Sequence, residues 1–255
     1  MIYSVDKTGS FEGLIVSLEP ADCRNWKNSI GMNGIIVQST AGVTLAGGSD
    51  FSLKLLETAR KWAPRLVAAD GGADRLLRLG AEPEAVIGDF DSITATARAR
   101  LAGRLFPIPE QTTTDFDKAL RSIAAPFVIG IGFSGARLDH ALAVLTGLVA
   151  HPDQRCLILG TRDVVFLAPL TLTLRLPVGS RLSLFPMGAV QGESQGLRWP
   201  LQGIRFAPDG MIGTSNAVTG PVHLRFSARK MLVILPRTAL AAALDGFGLT
   251  GVHGQ

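Results

Sequence analysis

Seven aspartates fall between positions 70 and 139: Asp70, Asp74, Asp89, Asp91, Asp115, Asp117 and Asp139. Position matters more than number. Asp70, Asp89 and Asp91 each follow a short apolar run that reads as a strand, where a loop would open into a helix. In a parallel α/β sheet that is where ligands bind. Asp89 and Asp91 are two residues apart. If the segment is extended, their carboxylates point to the same side, roughly 6–7 Å apart along the chain. Two such carboxylates repel unless a cation lies between them or one keeps its proton. Hard oxygen ligands of this kind, completed by water, suit Mg²⁺ in phosphate chemistry. The plainer alternative is a solvated turn with an aspartate cap.

A second segment, Gln111-Thr112-Thr113-Thr114-Asp115-Phe116-Asp117-Lys118, reads as the opening of a helix. Asp115 and Lys118 share a face at i and i+3, and the free N–H groups of a helix start can receive phosphate oxygens. Thr114 with Asp117 also fits a capping box. Further on, Gly130, Gly132 and Gly135 match G-x-G-x-x-G, a dinucleotide-binding spacing. The acid expected about 20 residues later is instead Arg155, which weakens that reading. Arg137-Leu138-Asp139-His140 follows at a helix start. There Arg137 could clamp a phosphate and Asp139 could bind a hydroxyl, amine or water. No G-x-x-x-x-G-K-[ST] occurs, which excludes a P-loop enzyme.

These residues need a frame. Strand-like stretches at 67–69, 85–88, 104–108 and 127–131 alternate with helical ones at 73–79, 94–101, 114–123 and 138–149, the pattern of βαβ units and a parallel sheet. Beyond Gly160 the helical patterns stop. Period-two alternation at 171–176 and 181–185, with short strands near 196–201, 222–226 and 231–235, predicts an antiparallel sandwich or small barrel. The fold class expected is α/β, a parallel-sheet N-terminal domain (32–160) followed by a β-sandwich C-terminal domain (161–255). Residues 1–31 fit neither and read as an added arm, or as sequence upstream of a true start at Met32.

Composition narrows the classes. The chain has 255 residues, is 47% hydrophobic and carries a net charge of +4, which argues against disorder. Lys and Arg are scattered without a basic run, which argues against nucleic acid. The longest apolar stretch, 124–136, is too short and too interrupted for a membrane span. Cys23 and Cys156 show no metal or disulfide spacing and fit a reducing cytoplasm.

Taken together the motifs resemble the thiamine diphosphokinase (thiamine pyrophosphokinase) family. The matching segments are Ala69-Asp70-Gly71-Gly72-Ala73, Gly88-Asp89-Phe90-Asp91-Ser92, Gln111 with Thr114-Asp115-Phe116-Asp117-Lys118, and Gly135-Ala136-Arg137-Leu138-Asp139-His140. Gly196-Leu197-Arg198-Trp199-Pro200-Leu201 and Gly213-Thr214-Ser215-Asn216 add the family's thiamine-binding part. The resemblance implies transfer of a diphosphoryl group from ATP to the hydroxyethyl group of thiamine, giving thiamine diphosphate and AMP. It implies a homodimer with sites between subunits. By resemblance Asp89, Asp91 and Asp115 hold Mg²⁺, while Lys118, Arg137 and Asp139 join them in the transfer site. Asp70, Gly71, Gly72, Gln111, Thr114 and His140 line the ATP side, and Trp199, Ser215 and Asn216 contact thiamine.

Two positions depart from the family pattern. Thr112 stands where an acid usually follows the glutamine, and Ala136 where a second glycine precedes the arginine. Both motivate an alternative, a thiamine- or nucleotide-binding protein with weakened turnover. A nicotinamide-dependent oxidoreductase rests on the G-x-G-x-x-G match alone.

Overall fold

The computed structural model describes residues 34–135 and 137–249. The arm read at 1–31, Cys23 and Ala136 lie outside the described residues. In chain order the first part holds β1 (Val37–Gln38), β2 (Val43–Ala46), α1 (Leu53–Trp62), β3 (Arg65–Ala69), α2 (Gly72–Arg78), β4 (Ala85–Gly88) and α3 (Ala95–Arg100). There follow β5 (Leu105–Pro107), α4 (Asp115–Arg121), β6 (Ile123–Ala124), β7 (Val128–Ile131), α5 (Leu138–Ala150) and β8 (Cys156–Leu159).

Six of these strands form a parallel sheet in the order β5-β4-β3-β2-β7-β8. Strands β2, β4, β7 and β8 are buried at every residue, as a parallel sheet covered on both faces requires. Alternation along β3 divides the core. Leu66 and Ala68 join one apolar cluster, Val67 and Ala69 the other. Helix starts are capped locally: Ser52, Thr94 and Thr114 accept from the backbone N–H three residues on. The short β1 and β6 pair separately from the main sheet.

After β8 the strands turn antiparallel: β9 (Asp163–Leu167), β10 (Thr171–Leu174), β11 (Arg181–Pro186), β12 (Val190–Leu197), β13 (Arg205–Phe206), β14 (Gly213–Phe226) and β15 (Met231–Pro236). The 14-residue β14 serves two layers. Its first residues pair with β11, and its later ones with β10 and β12. Leu172, Leu174, Leu182, Val222, Leu224 and Phe226 are buried in one apolar cluster, as in a sandwich. The two parts of the fold share a sheet, because β8 pairs antiparallel with β9 and β9 with β15.

Two sequence expectations change. Helices do not stop at Gly160: α6 (Leu240–Gly246) closes the described chain, burying Leu240, Ala243 and Leu244. At seven residues it is too short to stand out by periodicity. The strand expected at 196–201 ends at Leu197, and the residues beyond form a turn. Among the described residues no helix is long and apolar enough to cross a membrane.

Candidate functional site

The chain builds β2 first, adds β3, β4 and β5 on one side, then crosses to add β7 and β8 on the other. The carboxyl ends of β2 and β7 therefore form a topological switch point, where α/β folds open a crevice. Its floor is backbone against backbone. Gly47 N–H donates to Ile131 O at 2.8 Å, and Ser49 N–H to Gly132 O at 3.0 Å. The neighbouring α2 starts equally close, since a Cβ on Gly72 would lie 2.1 Å from Ala46 O. Only glycine permits this approach. Gly71 precedes it as the N-cap residue.

Asp70, Asp89 and Asp91 converge beside that crevice, each offering a carboxylate oxygen within 4.8 Å of the others. Unusual backbone at two residues brings them together. Asp70 has φ +39°, and Phe90, between Asp89 and Asp91, has φ +66°. For a bulky residue such as Phe90 this left-handed conformation is a true outlier. It corrects the extended Asp-x-Asp geometry expected above: the pair converges through a turn. Phe90 is held there by its buried ring and by Arg98, whose guanidinium donates to the Phe90 carbonyl and lies 5.7 Å from the ring. The absence of a side chain at Gly88 completes the approach, since a Cβ there would meet Asp70 Cβ at 2.8 Å.

The three acids differ in environment. Asp70 is buried. Its Oδ2 accepts from Ser92 N–H at 3.0 Å, while its Oδ1 has no hydrogen-bond partner. Burial is the main reason its carboxyl is pushed up to about 6, with the Asp115 and Asp91 charges adding to it against the Ser92 N–H. Asp89 Oδ2 accepts from Lys118 Nζ at 2.7 Å and from Gln111 Nε2 at 3.1 Å. The Lys118 hydrogen bond holds Asp89 below the usual carboxylate range. Asp91 is exposed and accepts from Ser92 Oγ at 2.8 Å.

Lys118 joins the cluster to α4. Its side chain is 1% exposed and its Nζ also lies 3.2 Å from Asp115 Oδ1. Burial opposes its charge, yet the Asp89 and Asp115 carboxylates hold the ammonium above its ordinary value. Asp115 is itself raised, by burial working against Lys118. Thr114 caps the helix, but Asp117 does not return a bond to complete a capping box. Asp117 instead meets Arg121 at 3.3 Å and His151 Nε2 at 2.7 Å.

Among the described residues, no hydrogen bond or ion pair joins Arg137, Asp139 or His140 to this cluster. Arg137 and Asp139, both exposed, pair with each other at 2.6 Å at the start of α5, and His140 is exposed beside them. In the antiparallel part Trp199, Ser215 and Asn216 form a second group. Buried Asn216 accepts from Trp199 N–H at 3.1 Å and donates to Trp199 O at 2.7 Å. The Trp199 side chain is largely exposed, with the Arg198 guanidinium 5.0 Å from its ring. Ser215 has φ +62°, and its N–H donates to Ser183 Oγ at 3.0 Å. Among the described residues no hydrogen bond or ion pair links this group to the acids.

Sequence reasoning passed over Gly47 and Ser49 in the crevice floor, although a glycine pair after the apolar run 43–46 was a usable signal. It also passed over Glu110, which binds Thr112, Thr113 and Arg121. Burial opposes its charge, but those hydrogen bonds hold its carboxyl down at about 2. An acid outside the motif gave no signal.

Comparison with known proteins follows the same division. Residues 56–158 match the family described as thiamin pyrophosphokinase, catalytic domain, and residues 171–232 match thiamin pyrophosphokinase, vitamin B1 binding domain. A thiamine pyrophosphokinase 3 of Oryza sativa subsp. japonica is 27% identical over 214 residues, spanning 67% of this chain and 80% of that protein. A thiamin pyrophosphokinase structure from yeast superposes with a TM-score of 0.65 at 16% identity, covering 83% of this chain and 95% of its own. One from Candida albicans gives 0.64 at 14%, covering 78% and 92%. A structure of a Lactobacillus plantarum protein gives 0.63 at 26%, covering 77% and 99%.

Proposed function

This chain belongs to the thiamin pyrophosphokinase family, catalytic and B1-binding domains together, and from that premise we propose that it transfers a diphosphoryl group from ATP to the hydroxyl of thiamine, releasing AMP. The observation that carries the reading is the convergence of Asp70, Asp89 and Asp91 at the strand ends.

The cluster passes a test for a divalent cation. A buried carboxylate oxygen without a partner, Asp70 Oδ1, stands among three acids, and a hard cation would satisfy it. Asp70, Asp89 and Asp91 would hold Mg²⁺, with Asp115 of the family-derived set beside them. When bound, Mg²⁺ neutralises charge on the phosphates of ATP. Lys118 and Gln111 fix Asp89 by bonding its Oδ2. Gly71, Gly72, Thr114 and His140 line the ATP side. Arg137, paired only at the surface, is free to turn from Asp139 to a phosphate oxygen. Trp199 offers a ring on which thiamine can stack. Because Asn216 bonds the Trp199 backbone from both sides, it positions that ring rather than touching the substrate.

In the same reading residues 32–160 form the catalytic part and 161–255 the thiamine-binding part. The protein acts in the cytoplasm as a homodimer with sites shared between subunits. A coupled assay for AMP release from ATP, thiamine and Mg²⁺ tests the activity, with AMP and thiamine diphosphate expected in equal amounts. Thiamine binding without thiamine-dependent AMP would assign the chain to the binding class that Thr112 suggests.

A further inference from the structure

Gln111 reaches Asp89 from a loop built around a different carboxylate. Glu110 accepts from Thr112 N–H at 2.8 Å, Thr112 Oγ1 at 2.6 Å, Thr113 N–H at 3.1 Å and Arg121 Nη2 at 2.9 Å, and also from the Thr113 hydroxyl. Five donors therefore gather on its two oxygens. Two successive backbone N–H groups turned toward Glu110 fold residues 110–113 into a tight wrap. From that wrap Gln111 Nε2 donates to Asp89 Oδ2 at 3.1 Å.

Arg121 ties the wrap to α4, the helix that carries Lys118, and Asp117 and His151 extend the tie to the end of α5. Among the described residues Gln111 and Lys118 are the two side chains that bond Asp89 Oδ2, so both reach it from one braced unit. Thr112 suits this role because it donates twice to Glu110. A carboxylate at 112 would face Glu110 with like charge.

We propose that Glu110 is a positioning residue: its carboxylate shapes the 110–113 loop so that Gln111 holds Asp89 in the orientation that binds a divalent cation. The proposal rests on reading Asp70, Asp89 and Asp91 as a cation site. Its direct path to the cation site is Gln111, since α4 and Lys118 are braced through Arg121 by Asp117 as well as by Glu110, and that makes it distinguishable from a general structural staple.

The test is a titration of the full chain with Mn²⁺ alone, followed by the electron spin resonance of the free ion, with the thermal midpoint of each variant recorded beside it. Glu110→Ala is expected to weaken Mn²⁺ binding about fivefold, somewhat less than loss of a direct outer-shell partner. In a Gln111→Ala background the same substitution is expected to change binding less than about twofold, because the path is already cut. Glu110→Gln keeps the shape and one acceptor oxygen and should give an intermediate loss; it carries the test if Glu110→Ala does not fold. Thr112→Asp is expected to weaken binding as well. Wild-type affinity in both Glu110 variants, an equal loss in both backgrounds, tighter binding in Thr112→Asp, or no Mn²⁺ binding by the natural chain would overturn the proposal. Absence of AMP release with the coupling intact would overturn the proposed reaction and leave this inference standing.

Discussion

The ammonium of Lys118 lies 2.7 Å from Oδ2 of Asp89, with 1% and 11% of the two side chains exposed. The pair locks α4 to the loop after β4, so the helix that brings Asp115 is held by the same acid the cation would use. Each half of the pair is costly alone, since a buried charge that loses its partner is left uncompensated away from water.

Lys118→Met should therefore destabilise the metal-free protein by about 3–5 kcal/mol, the range for breaking a buried ion pair. Saturating Mg²⁺ should recover part of the loss, because it supplies the missing positive charge and binds only the folded chain. Urea unfolding with and without Mg²⁺ measures both effects. A loss equal in the two conditions would place the cation elsewhere.

Asp70 gives the metal-free protein a pH dependence. Its folded-state value of about 6 lies above the ordinary 3.8. The stability it contributes is complete below about 3.8 and is lost as pH rises through about 6. Asp70→Asn, whose side chain tolerates the positive φ, should exceed the natural protein by up to about 3 kcal/mol at pH 8. At pH 3.5 the two should agree. Mg²⁺ should reverse the order at pH 8. Equal denaturation midpoints across the whole pH range would contradict the buried ionised carboxylate.

Asp91→Asn tests the catalytic part of the cluster. Asp91 is exposed and its carboxylate accepts from the Ser92 hydroxyl, so the fold should be unchanged within about 0.5 kcal/mol. Turnover should fall about 10²-fold or more, as for removal of one electrostatic stabiliser. Near-normal turnover at limiting Mg²⁺ would remove Asp91 from the site.

Trp199→Ala should raise the thiamine KM by the equivalent of about 1–2 kcal/mol and leave the ATP KM nearly unchanged. Asn216→Ala should raise the same constant through the Trp199 backbone, and in a Trp199→Ala background it should add little. An equal rise for both substrates would show that the ring is structural.

Shared sites have a separate signature. Asp91→Asn subunits mixed with Trp199→Ala subunits should regain activity on exchange, since one site of a composite dimer then carries neither defect. A mixture no more active than its parts would place each site within one subunit.

Much of this was legible in the sequence because it depends on short local patterns. The 85–88 strand matches β4 residue for residue, and the helices read at 114–123 and 138–149 match α4 and α5 within two residues at each end. Thr114 as a cap was also legible. The Asp89 and Asp91 geometry was not, because Phe90 takes a positive φ that ring burial and Arg98, eight residues on, impose. The part of Asp70 was half visible: its strand-end position pointed to a ligand, but its orphaned oxygen is a product of packing. The Glu110 wrap was hidden because donors two and three residues away, with Arg121 eleven residues on, leave no periodic trace. Strands β2, β8 and β9 also escaped the reading, since four or five apolar residues carry no alternation that separates strand from buried helix.

The antiparallel pairing of β8 with β9 bears on how the protein can be handled. Leu157 faces Phe166, Ile158 faces Val165 and Leu159 faces Val164 across a turn of three residues. A chain cut at Gly160, the boundary proposed between the catalytic and the vitamin B1-binding parts, would strip this pairing. Each fragment would then present an open, apolar strand edge, the kind that recruits copies of itself into aggregates. The halves are therefore poor candidates for exchange between chimeric enzymes, and expression should succeed only when the seam stays covalently whole.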